Sequence, residues 1–370
     1  MFLIKPKLTI VSPRSPFKYY GGVEHHVLEI SKRLQKLGYE LEVLATDTSI
    51  SVPETKTEHD ITVRTFPATA IQDSYDFSMG LYNAVKASTS EIIHVHGFYA
   101  FHMPLAALAR KKNQKLILTI HSCASSSLLR RAFRLPYHML CRKILSKTNK
   151  IVCVSNEERK QYTKFLGFPN NRYTVIPNGV NVKDFTESSS KTVSSNKYVL
   201  SVGRLEKCKG FHFLIKSFVE LKNIHPDLKL EIVGTGPYKP TLVQLINSLN
   251  LQDTVTIHER ISREKLVELY KGCSLFTLLS SGESSGIVVL EALAAKKPVV
   301  LTMCYALKEY VEKGLAIGLP YPPSTSEVCR SISLIIAHPN KYVPSSADVM
   351  SWDAVVDKLD NLYSEVLKEA

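Results

Sequence analysis

The chain has 370 residues, 44% of them hydrophobic and 22% charged, with seven cysteines and a net charge of +13. That length is too great for one ordinary core and favours two domains, while the composition excludes a disordered chain. No window approaches the ~18 uncharged apolar residues of a membrane span, and Pro6 interrupts the short apolar run at the start, so neither a span nor a signal peptide is expected. The cysteines are scattered and never form a C-x-x-C pair. Reduced thiols in a cytoplasmic compartment are the expectation.

The charge is unevenly divided. Residues 1–185 carry 26 Lys+Arg against 14 Asp+Glu, a balance of +12, and residues 186–370 carry 21 against 20, a balance of +1. The first half is therefore expected to face anions such as phosphates or acidic lipid. A basic surface that serves only solubility fits the charge equally well.

In chain order, Lys7–Ser12, Tyr39–Ala45, Ile92–His96, Lys115–His121 and Ile151–Ser155 are short apolar runs bounded by polar or Gly/Pro residues, which predicts buried strands. Between the first two, Val23, Val27, Ile30, Leu34 and Leu37 recur at helical spacing before Gly38. The polar, serine-rich stretch Thr186–Lys197 reads as a linker. Strand signals then resume at Tyr198–Val202, Lys229–Val233, Thr254–His258, Leu275–Leu278 and Pro298–Leu301, with helices predicted over Phe211–Asn223, Tyr238–Leu249, Arg263–Lys271 and Gly286–Ala295. A last amphipathic helix is predicted over Asp353–Leu367. Such alternation predicts an α/β chain with two doubly wound, Rossmann-like domains facing across a cleft, where ligands bind at the carboxyl ends of the strands. The domains are expected at 1–183, joined by helix 352–370, and at 184–351.

Four motifs carry chemistry. Glu283 and Glu291 flank a loop that enters a helix near Gly286, where Ser284, Ser285 and Gly286 can present backbone N–H groups to an anion. Glu291 can accept from a ribose diol. Read structurally instead, one glutamate is solvated and the other caps the helix. Gly203-Arg204-Leu205-Glu206-Lys207-Cys208-Lys209-Gly210 lies between a strand and a helix, with Arg204 and Lys209 placed to neutralise a diphosphate leaving group. No D-x-D cluster accompanies them, so no metal or other cofactor is expected. Gly21-Gly22-Val23 opens the first helix and can let backbone amides approach a phosphate, although a tight turn uses the same residues. Leu118-Thr119-Ile120-His121 and His94-Val95-His96-Gly97 end strands. His94 and His96 point the same way, which raises a metal pair, but without a neighbouring carboxylate or thiol a packing role is expected of both.

Taken together and in order, G-G-V-E-H-H, I-I-H-V-H-G, L-T-I-H, V-I-P-N-G-V-N, S-V-G-R-L, I-V-G-T-G-P, E-x7-E and the closing S-W-D…L-Y-S-E-V-L helix resemble family 4 of the retaining glycosyltransferases, which have the GT-B fold. The resemblance implies transfer of a hexose or related sugar from a nucleotide-diphosphate donor, a UDP-sugar, to a sugar or lipid-linked glycan acceptor. It implies that Arg204 and Lys209 grip the diphosphate beside Gly203, that Glu291 binds the ribose, and that Glu283 with Ser285, Gly286 and Ile287 contacts the transferred sugar. Gly234 and Gly236 would shape the nucleotide site, and His258–Ile261, with Arg260 and Ile261, would flank the base. Gly21, Gly22, His96 and His121 would lie on the acceptor side, His121 near the reacting sugar, and Asn178–Gly179 would form an inter-domain turn.

Three departures from the family pattern stand out, one being that Ser122 stands where an acidic residue often follows the histidine. Cys208 replaces a third Lys or Asp, and the Gly-Gly-x-x-Glu segment expected after P-V-V is replaced by Thr302–Tyr310 (T-M-C-Y-A-L-K-E-Y). Leu128–Lys147 interleaves basic and apolar residues and is a candidate for peripheral contact with anionic lipid, or else an ordinary amphipathic helix. A nucleotide-sugar epimerase of related fold and a non-catalytic nucleotide-sugar-binding protein are the alternatives. Nucleic acid is not an expected partner, because no aromatic–basic module appears.

Overall fold

The apolar runs build two separate parallel sheets. The computed structural model describes residues 5–19, 21–70, 76–98, 101–122, 139, 141–186, 197–344 and 349–369. The chain divides into two units, Met1–Gly179 with Trp352–Ala370, and Val180–Ser351. The predicted linker falls mostly on residues 187–196, outside the described ones.

In the first unit the strands are β1 (Leu8–Ser12), β2 (Leu41–Asp47), β3 (Glu54–Glu58), β4 (Ile61–Pro67), the short pair β5 (Thr69–Ala70) and β6 (Asp76–Phe77), β7 (Ile92–His96), β8 (Lys115–Thr119), β9 (Lys150–Cys153) and β10 (Tyr173–Val175). The main sheet runs β10-β9-β8-β7-β1-β2-β4-β3, parallel except where β3 pairs antiparallel with β4. Strands β1 and β7 are buried along their whole length, as a parallel sheet covered on both faces requires. The second strand starts at Leu41 and not at Tyr39, whose buried hydroxyl instead donates to Asp360 at 2.6 Å. The β3 sequence, E-T-K-T-E, is almost fully exposed, so it carries no apolar signal.

The helix Gly22–Lys36 packs against the closing helix Trp352–Lys368. The latter buries Trp352, Val355, Val356, Leu359, Leu362, Tyr363 and Val366, each fully buried apolar side chain contributing ~1.5–3 kcal/mol. That face fastens the end of the chain to the first unit.

In the second unit β11 (Tyr198–Val202), β12 (Lys229–Val233), β13 (Val255–His258), β14 (Leu275–Leu278), β15 (Val299–Thr302) and β16 (Ile317–Leu319) form an all-parallel sheet in the order β13-β12-β11-β14-β15-β16. Helices Phe211–Ile224, Lys239–Ser248, Arg263–Gly272 and Ile287–Ala294 match the predicted ones to within a residue or two. Helix Thr325–Ala337 was not predicted, although Ser324 and Glu327 form a reciprocal capping box that its sequence spells out.

Each sheet has one strand from which the chain proceeds first to one side and then to the other. In the first unit β1 lies between β2 and β7, and in the second β11 lies between β12 and β14. Doubly wound sheets bind ligands outside the carboxyl ends of strands at such switch points. Next to these points lie the loops after β1, β7 and β8 in one unit, and after β11 and β14 in the other.

Candidate functional site

In the second unit the loop after β11 contains Gly203–Gly210 and the loop after β14 contains Leu279–Gly286. The two are tied together: the Cys208 carbonyl accepts from the Ser281 N–H at 2.8 Å and from the Ser280 hydroxyl at 3.2 Å. Gly210 has φ +74°, and a Cβ there would lie 2.0 Å from the Leu279 carbonyl oxygen. Glycine is needed at that position by backbone approach and by a left-handed conformation at once. Gly210→Ala is therefore expected to destabilise the fold by at least ~1–3 kcal/mol, the usual cost of such strain. A denaturant midpoint equal to that of the unchanged chain would show that the two loops are not in contact.

This juxtaposition brings Lys209 and Glu283 together. The Lys209 ammonium donates to Glu283 Oε1 at 2.5 Å, and both side chains are largely buried, at 17% and 14% exposure. Burial alone would lower the pKa of the ammonium, but the Glu283 carboxylate more than offsets it and holds Lys209 charged. Arg204 differs: its side chain is 62% exposed and pairs with Glu206 at 2.9 Å. One cation is thus fixed by the fold and the other is free to swing toward an anion.

Gly286, at φ +74°, is the N-cap of helix Ile287–Ala294, so the predicted helix begins one residue later. Ser285 is buried and its carbonyl accepts from the Tyr310 hydroxyl at 2.7 Å. The Glu283 carbonyl accepts from the Ala306 N–H at 3.2 Å, so the atypical 302–310 segment reaches this loop. In the second turn of the helix Glu291 is 5% exposed in its side chain and accepts from Arg263 Nη1, while Arg263 Nη2 donates to Asp184 at 3.2 Å. Sequence reading left Glu291 open to a ligand and assigned Arg263 and Asp184 no part. The structure has the carboxylate engaged by Arg263 from the start of the helix that joins β13 to β14, a contact that no local spacing announces.

Gly234 and Gly236 follow β12, and their side-chain-free character has a packing cause. A Cβ on Gly234 would lie 1.9 Å from the Gly203 carbonyl oxygen, and one on Gly236 2.5 Å from that of Leu205. These glycines let the β11 and β12 loops pass. After β13, Arg260 takes φ +50° and Ile261 packs against the core, while His258 Nε2 meets Glu231 Oε2 at 2.6 Å.

In the first unit the helix starts at Gly22 with Gly21 as N-cap. A Cβ on Gly21 would lie 2.1 Å from Glu24 Oε2, so a carboxylate already folds back on this turn. An anion approaching the Gly21–Gly22 amides has to displace it, a term the glycines alone did not disclose. The β1 loop that leads there is pinned by buried Asp47, which accepts from Lys18 at 2.6 Å and from the Tyr19 hydroxyl at 2.9 Å. Burial would raise the Asp47 carboxyl, but the hydrogen bonds from Lys18, Ser49 and Tyr19 prevail and hold it down at about 2.

The structure gives His94 and His96 different surroundings. His94 is fully committed, with Nδ1 2.7 Å from the Tyr363 hydroxyl and Nε2 2.8 Å from that of Thr119. His94 is packed and hydrogen-bonded through both ring nitrogens, and no lone pair of it is left for a metal. His96 instead meets His121, Nδ1 to Nε2 at 3.1 Å, and both rings lie near His26 of the first helix, at centroid distances of 5.2 and 4.5 Å. His26 Nδ1 is 2.8 Å from Asn178 Oδ1. His121 lies beyond the end of β8, at Thr119, and adopts φ +51°, uncommon for a residue with a side chain. Burial pushes His26 down to about 4 and His96 and His121 well below their ordinary range, so all three are neutral at pH 7.

Ser122 stands where an acidic neighbour of the histidine is often found, yet a carboxylate arrives from elsewhere. Glu158, buried at the start of helix Asn156–Leu166, accepts from the Ser122 N–H and the Val154 N–H, each at 2.7 Å. Burial raises it to about 8 despite those two bonds.

Residues 182–342 match the family described as "Glycosyl transferases group 1", and residues 20–184 match "Glycosyltransferase Family 4". Among curated proteins the chain is 23% identical to the D-inositol 3-phosphate glycosyltransferase of Nocardiopsis dassonvillei, over 93% of this chain and 89% of that protein. It is 24% identical to the phosphatidylinositol N-acetylglucosaminyltransferase gpi3 subunit of Schizosaccharomyces pombe, over 95% and 79%. Among solved structures it superposes on HepE of Anabaena in complex with UDP-glucose with a TM-score of 0.76, at 19% identity, covering 99% of this chain and 100% of that one. The two matches together span residues 20–342: the chain is a glycosyltransferase of GT-B fold, and its first half resembles family 4.

Proposed function

We propose that the chain transfers a hexose or related sugar, with retention of anomeric configuration, from a UDP-sugar to a sugar or lipid-linked acceptor. The observation that carries this reading is the convergence of Lys209, Glu283 and the Gly286 helix start at the β11/β14 switch point of the second unit. Departure of a nucleoside diphosphate develops negative charge, and Lys209, Arg204 and the N–H groups around Gly286 supply preorganised positive charge there without a metal. Glu291 binds the ribose, and Glu283 a hydroxyl of the transferred sugar. On the first unit His121, neutral and held at a strand end, accepts or donates one hydrogen bond to the reacting sugar. The acceptor hydroxyl attacks the anomeric carbon from the face the leaving phosphate occupies, the C–O bond to phosphate breaks, and the phosphate oxygen takes the proton. A UDP-glucose complex of a protein with this fold supports the donor class. Two relatives whose names specify inositol phosphates, one of them a lipid, support a phosphorylated or lipid-linked acceptor.

The same reading puts the chain in the cytoplasm, peripheral on anionic membrane through Leu128–Lys147. Most of that segment lies outside the described residues. In its described tail Arg142, Lys143 and Lys147 are exposed while Cys141 and Leu145 are buried, and no helix among the described residues is long and apolar enough to cross a membrane.

The test is incubation of the purified chain with UDP-hexoses, soluble acceptors and lipid acceptors in anionic or neutral vesicles. Product anomers are read by proton NMR of the new linkage. An α-linked product from an α-linked donor is expected, with the lipid acceptor preferred in anionic vesicles at low salt. An inverted product contradicts retention, and equal use of neutral vesicles contradicts the membrane contact.

A further inference from the structure

We propose that His26, His96 and His121 form a binding site for one first-row divalent transition-metal ion, zinc foremost. The three residues come from three elements, the first helix, β7 and the loop after β8, and each offers one ring nitrogen within 4.8 Å of the other two. The His96 Nδ1 to His121 Nε2 separation of 3.1 Å is close to the ~3.3 Å between two nitrogens bound at ~2.0–2.1 Å on a tetrahedral ion. For that pair, binding asks the rings to open by only a few tenths of an ångström, while the His26 nitrogen closes on the ion from within 4.8 Å of the other two.

Two further features of the unloaded cluster fit a ligand set. With the Asn178 oxygen accepting from His26 Nδ1–H, the Nε2 lone pair of His26 is left unprotonated, the kind of outer hydrogen bond that sets the tautomer of metal-bound histidines. His121 holds a left-handed backbone whose strain keeps its ring beside the other two. Imidazole ligands suit zinc, copper, nickel and cobalt and do not suit magnesium or calcium. Among the described residues no fourth side chain joins the three. His121 is partly exposed, so ions can enter and the remaining position is left to water or a small ligand. None of the three is among the cations proposed to grip the diphosphate, but His121 is also the residue proposed to meet the reacting sugar, so bound zinc is expected to inhibit transfer and turnover of the metal-free chain to persist in a chelator.

The experiment titrates Co2+ into the untagged, metal-stripped full chain and follows visible absorption, then displaces it with Zn2+ and records thermal unfolding with and without EDTA. One ion per chain is expected, with a tetrahedral cobalt spectrum bleached by zinc and a melting temperature that rises with zinc and returns with EDTA. His121→Asn is the main variant, because asparagine tolerates the left-handed backbone. It should melt like the parent without metal and lose the cobalt spectrum. Asn178→Ala, one shell further out, should weaken binding ~10–100-fold, and the exposed-site control His338→Ala should leave it unchanged. Absence of stoichiometric binding in the parent chain, or an undiminished spectrum in His121→Asn and His96→Gln, overturns the assignment.

Discussion

Replacing Lys209 by alanine is expected to lower turnover ~100-fold or more, the usual consequence of removing one preorganised charge contact from a transition state. The ammonium sits at the switch point, largely buried and held charged by Glu283. Removing it also strands a carboxylate that is only 14% exposed, and breaking a buried pair costs up to ~3–5 kcal/mol. Turnover must therefore be compared in preparations whose folded fraction has been checked by melting. Arg204→Ala separates the two effects. Its side chain is mostly in water and paired only with Glu206 among the contacts described, so the fold should be untouched while turnover falls by a similar factor. Unchanged turnover in both variants would remove the diphosphate grip from this loop. Activity is expected to survive a strong chelator in the parent chain.

Glu291→Ala is expected to weaken use of a ribonucleotide donor by ~1–3 kcal/mol, the contribution of hydrogen bonds to a charged acceptor. With a 2′-deoxy donor, which lacks one of the two hydroxyls, the loss should be smaller. The geometry adds a complication. Glu291 already accepts from Arg263, and Arg263 also reaches Asp184. Arg263 is one-third exposed and keeps Asp184 when Glu291 is removed, so the stability loss should be modest. Comparing kcat/KM for ribo- and 2′-deoxy donors in parent, Glu291→Ala and Arg263→Ala separates ribose binding from scaffolding. Equal loss with both donors would assign Glu291 a structural role.

Most of the architecture was legible because apolar runs buried on both faces leave an uninterrupted pattern. β1, β7, β11 and β14 all show it. What escaped had no such pattern: β3 is polar and exposed, and its pairing with β4 depends on the neighbouring strand. Side chains that bear on the site divide the same way. Lys209, Glu283 and Glu291 stand in motifs, and the fold brings Lys209 to Glu283 from 74 residues away. Arg263, Asp184, Asp47 and Glu158 act through contacts made only after strands are ordered, so no local spacing announces them. The partners of His96 escaped for a related reason. Alternation along a strand does put the rings of His94 and His96 on one face, but Tyr363 and Thr119 take up His94, and the helix and the β8 loop bring His26 and His121 to His96 instead.

Calorimetric titration of UDP into the parent chain, Lys209→Ala, Glu291→Gln and His121→Ala is the most direct test of where the donor binds. With the donor site on the second unit, UDP should bind the parent one to one, lose at least ~1–3 kcal/mol of affinity in Lys209→Ala and in Glu291→Gln, and bind His121→Ala as it binds the parent. UDP affinity that is indifferent to Lys209 and Glu291 but falls with His121 would contradict that placement.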